Sequence, residues 1–256
     1  MYDITPIHAF EDNYIWALHN SRHAVVVDPG EAEPVLAWLK NGQFELAAIL
    51  CTHHHGDHIG GIAKLLEVYN VPVYAPRAED IAGTTQPLAE GDTVTLPELD
   101  ATLQVLDIRG HTRGHLGYTA PGLVFCGDTL FGCGCGRVFE GTMEEMLNSL
   151  QRLAALPDDT RVYCAHEYTE ANIRFALACE PENASLQARA VETRALRAAD
   201  KATVPSTIAL EKATNPFLRC REPAVIRGVQ QACGISENGE LAVFTAMRNW
   251  KNHFKA

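Results

Sequence analysis

The chain has 256 residues, and its 32 acidic against 21 basic side chains leave a formal net charge of −11. That balance argues against a nucleic-acid partner, which needs a basic face, and no apolar run approaches the ~20 residues of a membrane span. Met1-Tyr2-Asp3-Ile4-Thr5-Pro6 shows neither a basic start nor an apolar signal core, so a cytoplasmic location is expected, with the eight cysteines as thiols.

The first thirty residues alternate short apolar runs with turns: Ile4 to Ala9, Tyr14 to Leu18, and Ala24 to Val27 closing in Asp28-Pro29-Gly30. This reads as a meander of strands. Glu31 to Lys40 has helical spacing, with Pro34 tolerated near its start. Leu46 to Leu50 is a buried strand, and the tract from Cys51 to Gly61 follows it. Ile59 to Tyr69 reads as one helix with Ile62, Leu65, Leu66 and Tyr69 on its buried face, and Val71 to Tyr74 as a strand. Further strands are expected at Thr93 to Leu96, Thr102 to Ile108, Leu123 to Cys126 and Arg161 to Cys164. Thr142-Met143-Glu144-Glu145 has the spacing of a capping box and opens a helix that runs to about Leu156.

Beyond residue 168 the composition turns to alanine, arginine and glutamate with helical spacing. Helices are expected at Asn172 to Ala178, Ala184 to Ala199, Glu222 to Cys233 and Leu241 to Phe254, with one strand at Thr207 to Leu210. The expected organisation is α/β over residues 1–167, followed by a smaller α-helical domain over 168–256. Cys133-Gly134-Cys135 has no second cysteine pair at zinc-site spacing and reads as small packing residues.

The tract after the buried strand packs His53, His54, His55, Asp57 and His58 into six residues. In an extended segment residues two apart share a side, so His53 and His55 can converge on one ion while His54 faces away. Gly56 allows a turn, and Asp57 and His58 then fall at a helix start, where a second ion suits them better. Three later strand ends deliver His111, Asp128 and His166. Seven ligands exceed the needs of one tetrahedral ion. They suit two, with His53, His55 and His111 on one, Asp57, His58 and His166 on the other, and Asp128 bridging. Asp57 and Asp128 are also the candidate catalytic carboxylates. A water shared by two such ions is acidified towards a pKa of roughly 7, which makes hydrolysis of an acyl compound the expected reaction class.

His53-x-His55-x-Asp57-His58, Gly110-His111-Thr112-x-Gly114-His115, Gly127-Asp128-Thr129 and Ala165-His166-Glu167-Tyr168 resemble the metallo-β-lactamase superfamily. Four further stretches extend the resemblance to the glyoxalase II (hydroxyacylglutathione hydrolase) family over essentially the whole chain, and the last three of them single that family out. They are Phe10-x-Asp12-Asn13-Tyr14, Gly132 to Thr142, Asn215-Pro216-Phe217-Leu218-Arg219 and the closing Arg248-x-x-Lys251.

The resemblance implies an αββα metallo-β-lactamase sandwich with a helical glutathione-binding domain, and two divalent ions, Zn2+ foremost, with iron and manganese as alternatives that the donor set does not separate. It also implies hydrolysis of S-D-lactoylglutathione, a small-molecule thioester, with neither membrane nor nucleic acid as partner. The protein is expected to be a monomer. Arg248 and Lys251, three apart on one helix face, would hold the glycine carboxylate, with Arg137 and Tyr168 also lining the pocket. Phe139 departs from the tyrosine of some members and cannot offer a phenolic hydrogen bond. The rival readings are an iron persulfide dioxygenase, a β-lactamase and a redox-sensing module built on the cysteines.

Overall fold

The computed structural model describes residues 2–254. It falls into two compact units, the first reaching Asp107 and taking in Thr112–Gly127, the second comprising Ile108–His111 and the chain from Asp128 on.

In the first unit, β1 (Asp3–Ala9), β2 (Asn13–His19) and β3 (His23–Val27) form an antiparallel meander. Helix α1 (Ala32–Gly42) then crosses to β4 (Glu45–Leu50), which lies parallel to β3. Two short helices, α2 (Gly56–Ile59) and α3 (Ile62–Val68), lead to β5 (Val73–Pro76) and β6 (Gln86–Leu88), both parallel additions. The six strands lie in the order β1-β2-β3-β4-β5-β6. Val35 and Leu39 of α1 and Ile62 and Leu65 of α3 cover one face, packing on Val26, Ile49 and Val73. Each such side chain contributes roughly 1.5–3 kcal/mol by leaving water.

A second run, β7 (Thr93–Leu96), β8 (Ala101–Asp107), β9 (Leu116–Ala120) and β10 (Leu123–Gly127), is antiparallel throughout. β8 alternates buried and exposed residues over most of its length, whereas β10 is buried along all of it. The Tyr118 hydroxyl donates to the Cys51 carbonyl at 2.6 Å, and Leu116 N–H to the Thr52 carbonyl at 2.9 Å. Those two bonds tie β9 to the chain leaving β4.

The second unit holds the hairpin β11 (Leu130–Phe131) and β12 (Gly134–Cys135), then α4 (Met143–Ala154), β13 (Arg161–Cys164), α5 (Thr169–Cys179) and α6 (Ala184–Ala198). β14 (Ser206–Thr207), α7 (Ile208–Thr214), α8 (Pro223–Cys233) and α9 (Glu240–His253) complete it. Phe217 packs between Phe175 and Phe244, with ring centroids 5.9 and 5.8 Å away. Arg219 closes a bidentate pair on Glu180, at 2.9 and 2.8 Å. Among the described residues no helix is long and apolar enough to cross a membrane.

The helix expected from Ile59 to Tyr69 is broken into α2 and α3 around Gly60 and Gly61. There the chain turns under the β3–α1 connection, and Gly61 N–H bonds the Pro29 carbonyl at 2.9 Å. The strand expected at Thr207 to Leu210 survives only as β14. Thr207 instead caps α7, its hydroxyl accepting from Leu210 N–H at 3.2 Å, and local capping wins over the β-branched composition. β6 and β9 were not foreseen.

The capping box before α4 forms as read, with Thr142 and Glu145 satisfying each other's amides at 3.1 and 2.8 Å. Thr142→Ala should cost about 1 kcal/mol, seen as a drop of about 2–4 °C in the melting midpoint at this chain length.

Candidate metal centre and substrate cleft

Within the first unit the parallel strands β3 and β4 end side by side, so that Asp28 leaves one strand next to Thr52 on the other. Asp28, buried and at φ 54°, accepts Thr52 N–H and the Thr52 hydroxyl, both at 2.7 Å. It also accepts His58 Nδ1–H at 3.1 Å. Because the Thr52 hydroxyl has given its proton to Asp28, it can only accept from His53 Nδ1–H, 3.0 Å away. One carboxylate therefore fixes the proton on Nδ1 of both His53 and His58, leaving each Nε2 with its lone pair.

The His53 Nε2 so prepared lies 3.1 Å from His55 Nδ1, as the alternation of an extended segment requires. The His54 ring goes the other way, with Nδ1 3.0 Å from Glu79 Oε2. His58 Nε2 and Asp57 Oδ2 are 3.5 Å apart. Asn13 donates to that Asp57 oxygen at 3.1 Å. Gly30 admits the close approach of α2: a Cβ there would stand 1.9 Å from the Asp57 carbonyl oxygen. His115 stacks on His53 at 4.6 Å between centroids.

The second unit assembles His111, Asp128 and His166. Asp128 Oδ2 is 3.4 Å from His111 Nε2 and its Oδ1 is 3.4 Å from His166 Nε2. The two carboxylate oxygens face different imidazoles, the arrangement a bridging carboxylate needs. His111 Nδ1–H donates to the Arg137 carbonyl at 2.8 Å. A carbonyl can only accept, so Nδ1 carries the proton and Nε2 is bare.

These spacings fit divalent ions. Metal–nitrogen bonds of about 2.0–2.1 Å put neighbouring donors of a tetrahedral set about 3.3–3.4 Å apart. The four pairs above span 3.1 to 3.5 Å. Clusters of histidine and aspartate able to hold a divalent ion are thus present among the described residues.

Beside His111 and Asp128 opens a cleft of ≈ 510 Å³, whose lining includes Arg137, Phe139, Tyr168, Arg248 and Lys251. Tyr168 stacks on His166 at 4.6 Å, and Phe139 meets His111 edge-on at 5.4 Å. Arg248 is buried, and much of its guanidinium is committed: Nη1 donates to the Cys135 carbonyl at 2.7 Å and Nη2 to Asn252 Oδ1 at 3.2 Å. Its buried Nε has no hydrogen-bond acceptor. Lys251 stands over the Phe175 ring at 5.2 Å. Burial, aided by the Arg248 and Arg174 guanidinium groups, pulls its ammonium down to about 8.

The cysteines are thiols, and burial pushes Cys133 and Cys164 up to about 12. Such thiols are inert at neutral pH, which weighs against the redox-module reading. Sequence reasoning missed Asp28, Asn13 and Glu79. Asp28 sits directly after the apolar run Ala24–Val27, the position at which other strand ends deliver ligands, but Pro29-Gly30 behind it gives it the look of a turn residue. Asn13 was visible only as part of a resemblance motif, and nothing local marks Glu79.

Comparison with known proteins bears on the whole chain. The family model described as the metallo-beta-lactamase superfamily matches residues 10–166, and the one described as hydroxyacylglutathione hydrolase C-terminus matches 167–254. The hydroxyacylglutathione hydrolase of Nitrosomonas eutropha is 52% identical over 100% of both chains. That of Vibrio cholerae is 52% identical over 99% of this chain and 100% of its own. Among solved structures, ETHE1 from Myxococcus xanthus superposes with a TM-score of 0.66 at 24% identity, covering 97% of this chain and 98% of that one. TTHA1623 in a di-iron-bound form gives 0.59 at 27% identity, over 84% and 100%. The fold is thus a metallo-β-lactamase fold followed by a helical region. The chain belongs to the hydroxyacylglutathione hydrolase family of the metallo-β-lactamase superfamily.

Proposed function

We propose that this chain hydrolyses S-D-lactoylglutathione and related S-2-hydroxyacylglutathiones to the 2-hydroxy acid and glutathione, the second step of methylglyoxal detoxification. Family membership supports the reaction. The observation that carries the site is Asp128, whose two oxygens each stand 3.4 Å from the Nε2 of a different imidazole, His111 and His166. In this reading His53, His55 and His111 hold one divalent ion and Asp57, His58 and His166 a second, with Asp128 common to both. Zinc is the first expectation, and iron and manganese are compatible with the same donors. The ions, when bound, supply a water acidic enough to act as nucleophile at neutral pH and polarise the thioester carbonyl.

The protein's own groups do the rest. Asp28 and the Arg137 carbonyl keep His53, His58 and His111 in the tautomer that presents a lone pair. Asp57, held by Asn13, and Asp128 are placed to take a proton from the nucleophile. The thiolate of glutathione is a good leaving group, so a dedicated acid is less necessary than for an amide. Residues 1–167 carry the chemistry and 168–256 the glutathione moiety, with Arg137, Tyr168, Arg248 and Lys251 lining its cleft. Lys251 meets the glycine carboxylate as a cation together with Arg248, whose guanidinium is also held by the Cys135 carbonyl. The enzyme works as a cytoplasmic monomer.

Asp128→Ala should lower metal content, measured by elemental analysis, and reduce turnover by about 100-fold or more, since even the loss of a hydrogen-bond partner behind a ligand costs 10–100-fold. Full activity in that variant would refute the assignment. Lys251→Ala should raise KM for glutathione thioesters by about 10–100-fold, the worth of a charged hydrogen bond of about 1.5–3 kcal/mol. It should leave kcat, and the hydrolysis of a thioester lacking glutathione, nearly unchanged. Because Lys251 is cationic below about 8 and neutral above it, KM for glutathione thioesters should rise as pH passes upward through that value. The Lys251→Ala enzyme should lose this limb of the pH profile.

A further inference from the structure

The loop from Asp128 to Arg137 carries both the carboxylate that faces two imidazoles and the carbonyl that fixes the His111 tautomer. It has little regular structure beyond the two-residue strands β11 and β12. Its backbone is held by side chains from the carboxyl-terminal helices. Glu211 on α7 accepts Cys133 N–H at 2.9 Å. Asn215, just after α7, directs the two hydrogens of its Nδ2 among three acceptors, the Gly134 and Phe131 carbonyls at 2.9 and 3.2 Å and Glu211 at 3.0 Å. Asn172 on α5 donates to the Gly132 carbonyl at 3.1 Å.

Glu211 and Asn215 are both fully buried. Glu211 is fixed in turn by Arg189, 2.7 Å from its other oxygen. At the centre of the grip Cys133 stands at φ 54°, a left-handed conformation that a non-glycine residue keeps only when its surroundings impose it.

The loop has no slack with which to absorb a shift. Gly136 folds back on Asp128 so closely that a Cβ would lie 1.9 Å from the Asp128 carbonyl oxygen. Gly136 N–H also bonds the Thr129 carbonyl at 3.2 Å. Movement at Phe131 to Gly134 is therefore passed to Asp128 on one side and to Arg137 on the other. A buried ion pair is weak evidence for a purely stabilising role, because apolar residues of similar volume often serve as well. Here the pair presents an acceptor to one strained amide, and the neighbouring amide side chain grips two carbonyls of the same loop.

We propose that Glu211 and Asn215 are positioning residues of the metal centre, acting through the Asp128–Arg137 loop to set the Asp128 carboxylate and the His111 tautomer. The helical region then builds part of the catalytic site in addition to the substrate cleft. The inference rests on His111 and Asp128 being ligands, as read above.

The test compares Asn215→Ala with Arg219→Ala. The second variant removes the pair with Glu180 in the same stretch of chain and leaves the loop's hydrogen bonds in place. Zinc affinity is measured by competition with a chromogenic chelator, the His111 Nδ1–H resonance is followed in metal-free protein, and melting midpoints are recorded for both. Asn215→Ala should lose about 10–100-fold in zinc affinity and the protected His111 resonance, with kcat falling alike on glutathione and non-glutathione thioesters. Arg219→Ala should lower only the melting midpoint.

Wild-type zinc affinity and an intact resonance in folded Asn215→Ala would overturn the proposal. Should that variant not fold, Asn172→Ala, which frees the Gly132 carbonyl alone, is read by the same two outcomes at smaller amplitude. If the wild-type protein itself binds no divalent ion, the ligand assignment fails, and this inference with it.

Discussion

A buried imidazole can present a lone pair to a cation only if its other nitrogen has somewhere to direct its proton. Each unit meets that constraint with its own acceptor. In the first, Asp28 takes the His58 proton directly and the His53 proton through the Thr52 hydroxyl. In the second, the Arg137 carbonyl takes that of His111. The acceptors dictate the surroundings: Asp28 requires β3 and β4 to end together, and the carbonyl requires the Asp128–Arg137 loop to stay where it is. The histidines are the visible part of the site, and the acceptors decide their chemistry.

The substrate side follows from charge. In a protein with a net charge of −11, the cleft beside His111 and Asp128 still gathers three cationic side chains, Arg137, Arg248 and Lys251. They are not equivalent. Arg248 spends much of its guanidinium on the Cys135 carbonyl and on Asn252, and so braces the cleft wall. Lys251, half-buried and crowded by two guanidinium groups, is held down at about 8. An incoming carboxylate relieves that crowding, so binding and protonation of Lys251 favour each other. A pair that looks symmetrical in the sequence thus differs in what already surrounds each cation.

The stretch Asn215 to Arg219 illustrates the same division. Its role is spread over three targets: Asn215 grips the loop, Phe217 anchors the aromatic core beneath Arg248, 5.1 Å from ring to cation, and Arg219 pins the α5–α6 connection through Glu180. None of these targets is near it in sequence, so no local pattern announces them.

What the sequence determined by itself is what depends on short-range rules. Alternation along an extended segment settled that His53 and His55 converge and that His54 turns away, and capping chemistry placed the start of α4 at Thr142. Apolar runs located most strands, and helical spacing located α5, α6, α8 and α9. Where local rules competed the sequence misled: Ile208 continues a strand-like run yet starts α7, because the Thr207 cap outweighs it, and Gly60-Gly61 divides a periodic helix. Tertiary structure alone decided the rest. Asp28 becomes the carboxylate behind two histidines because β3 pairs with β4, Glu79 meets His54 across a loop, and Arg248 reaches back from α9 to the Cys135 carbonyl. Each depends on which strand ends and helix faces are adjacent. That adjacency comes from burying apolar surface over the whole chain, a quantity that no window of residues contains.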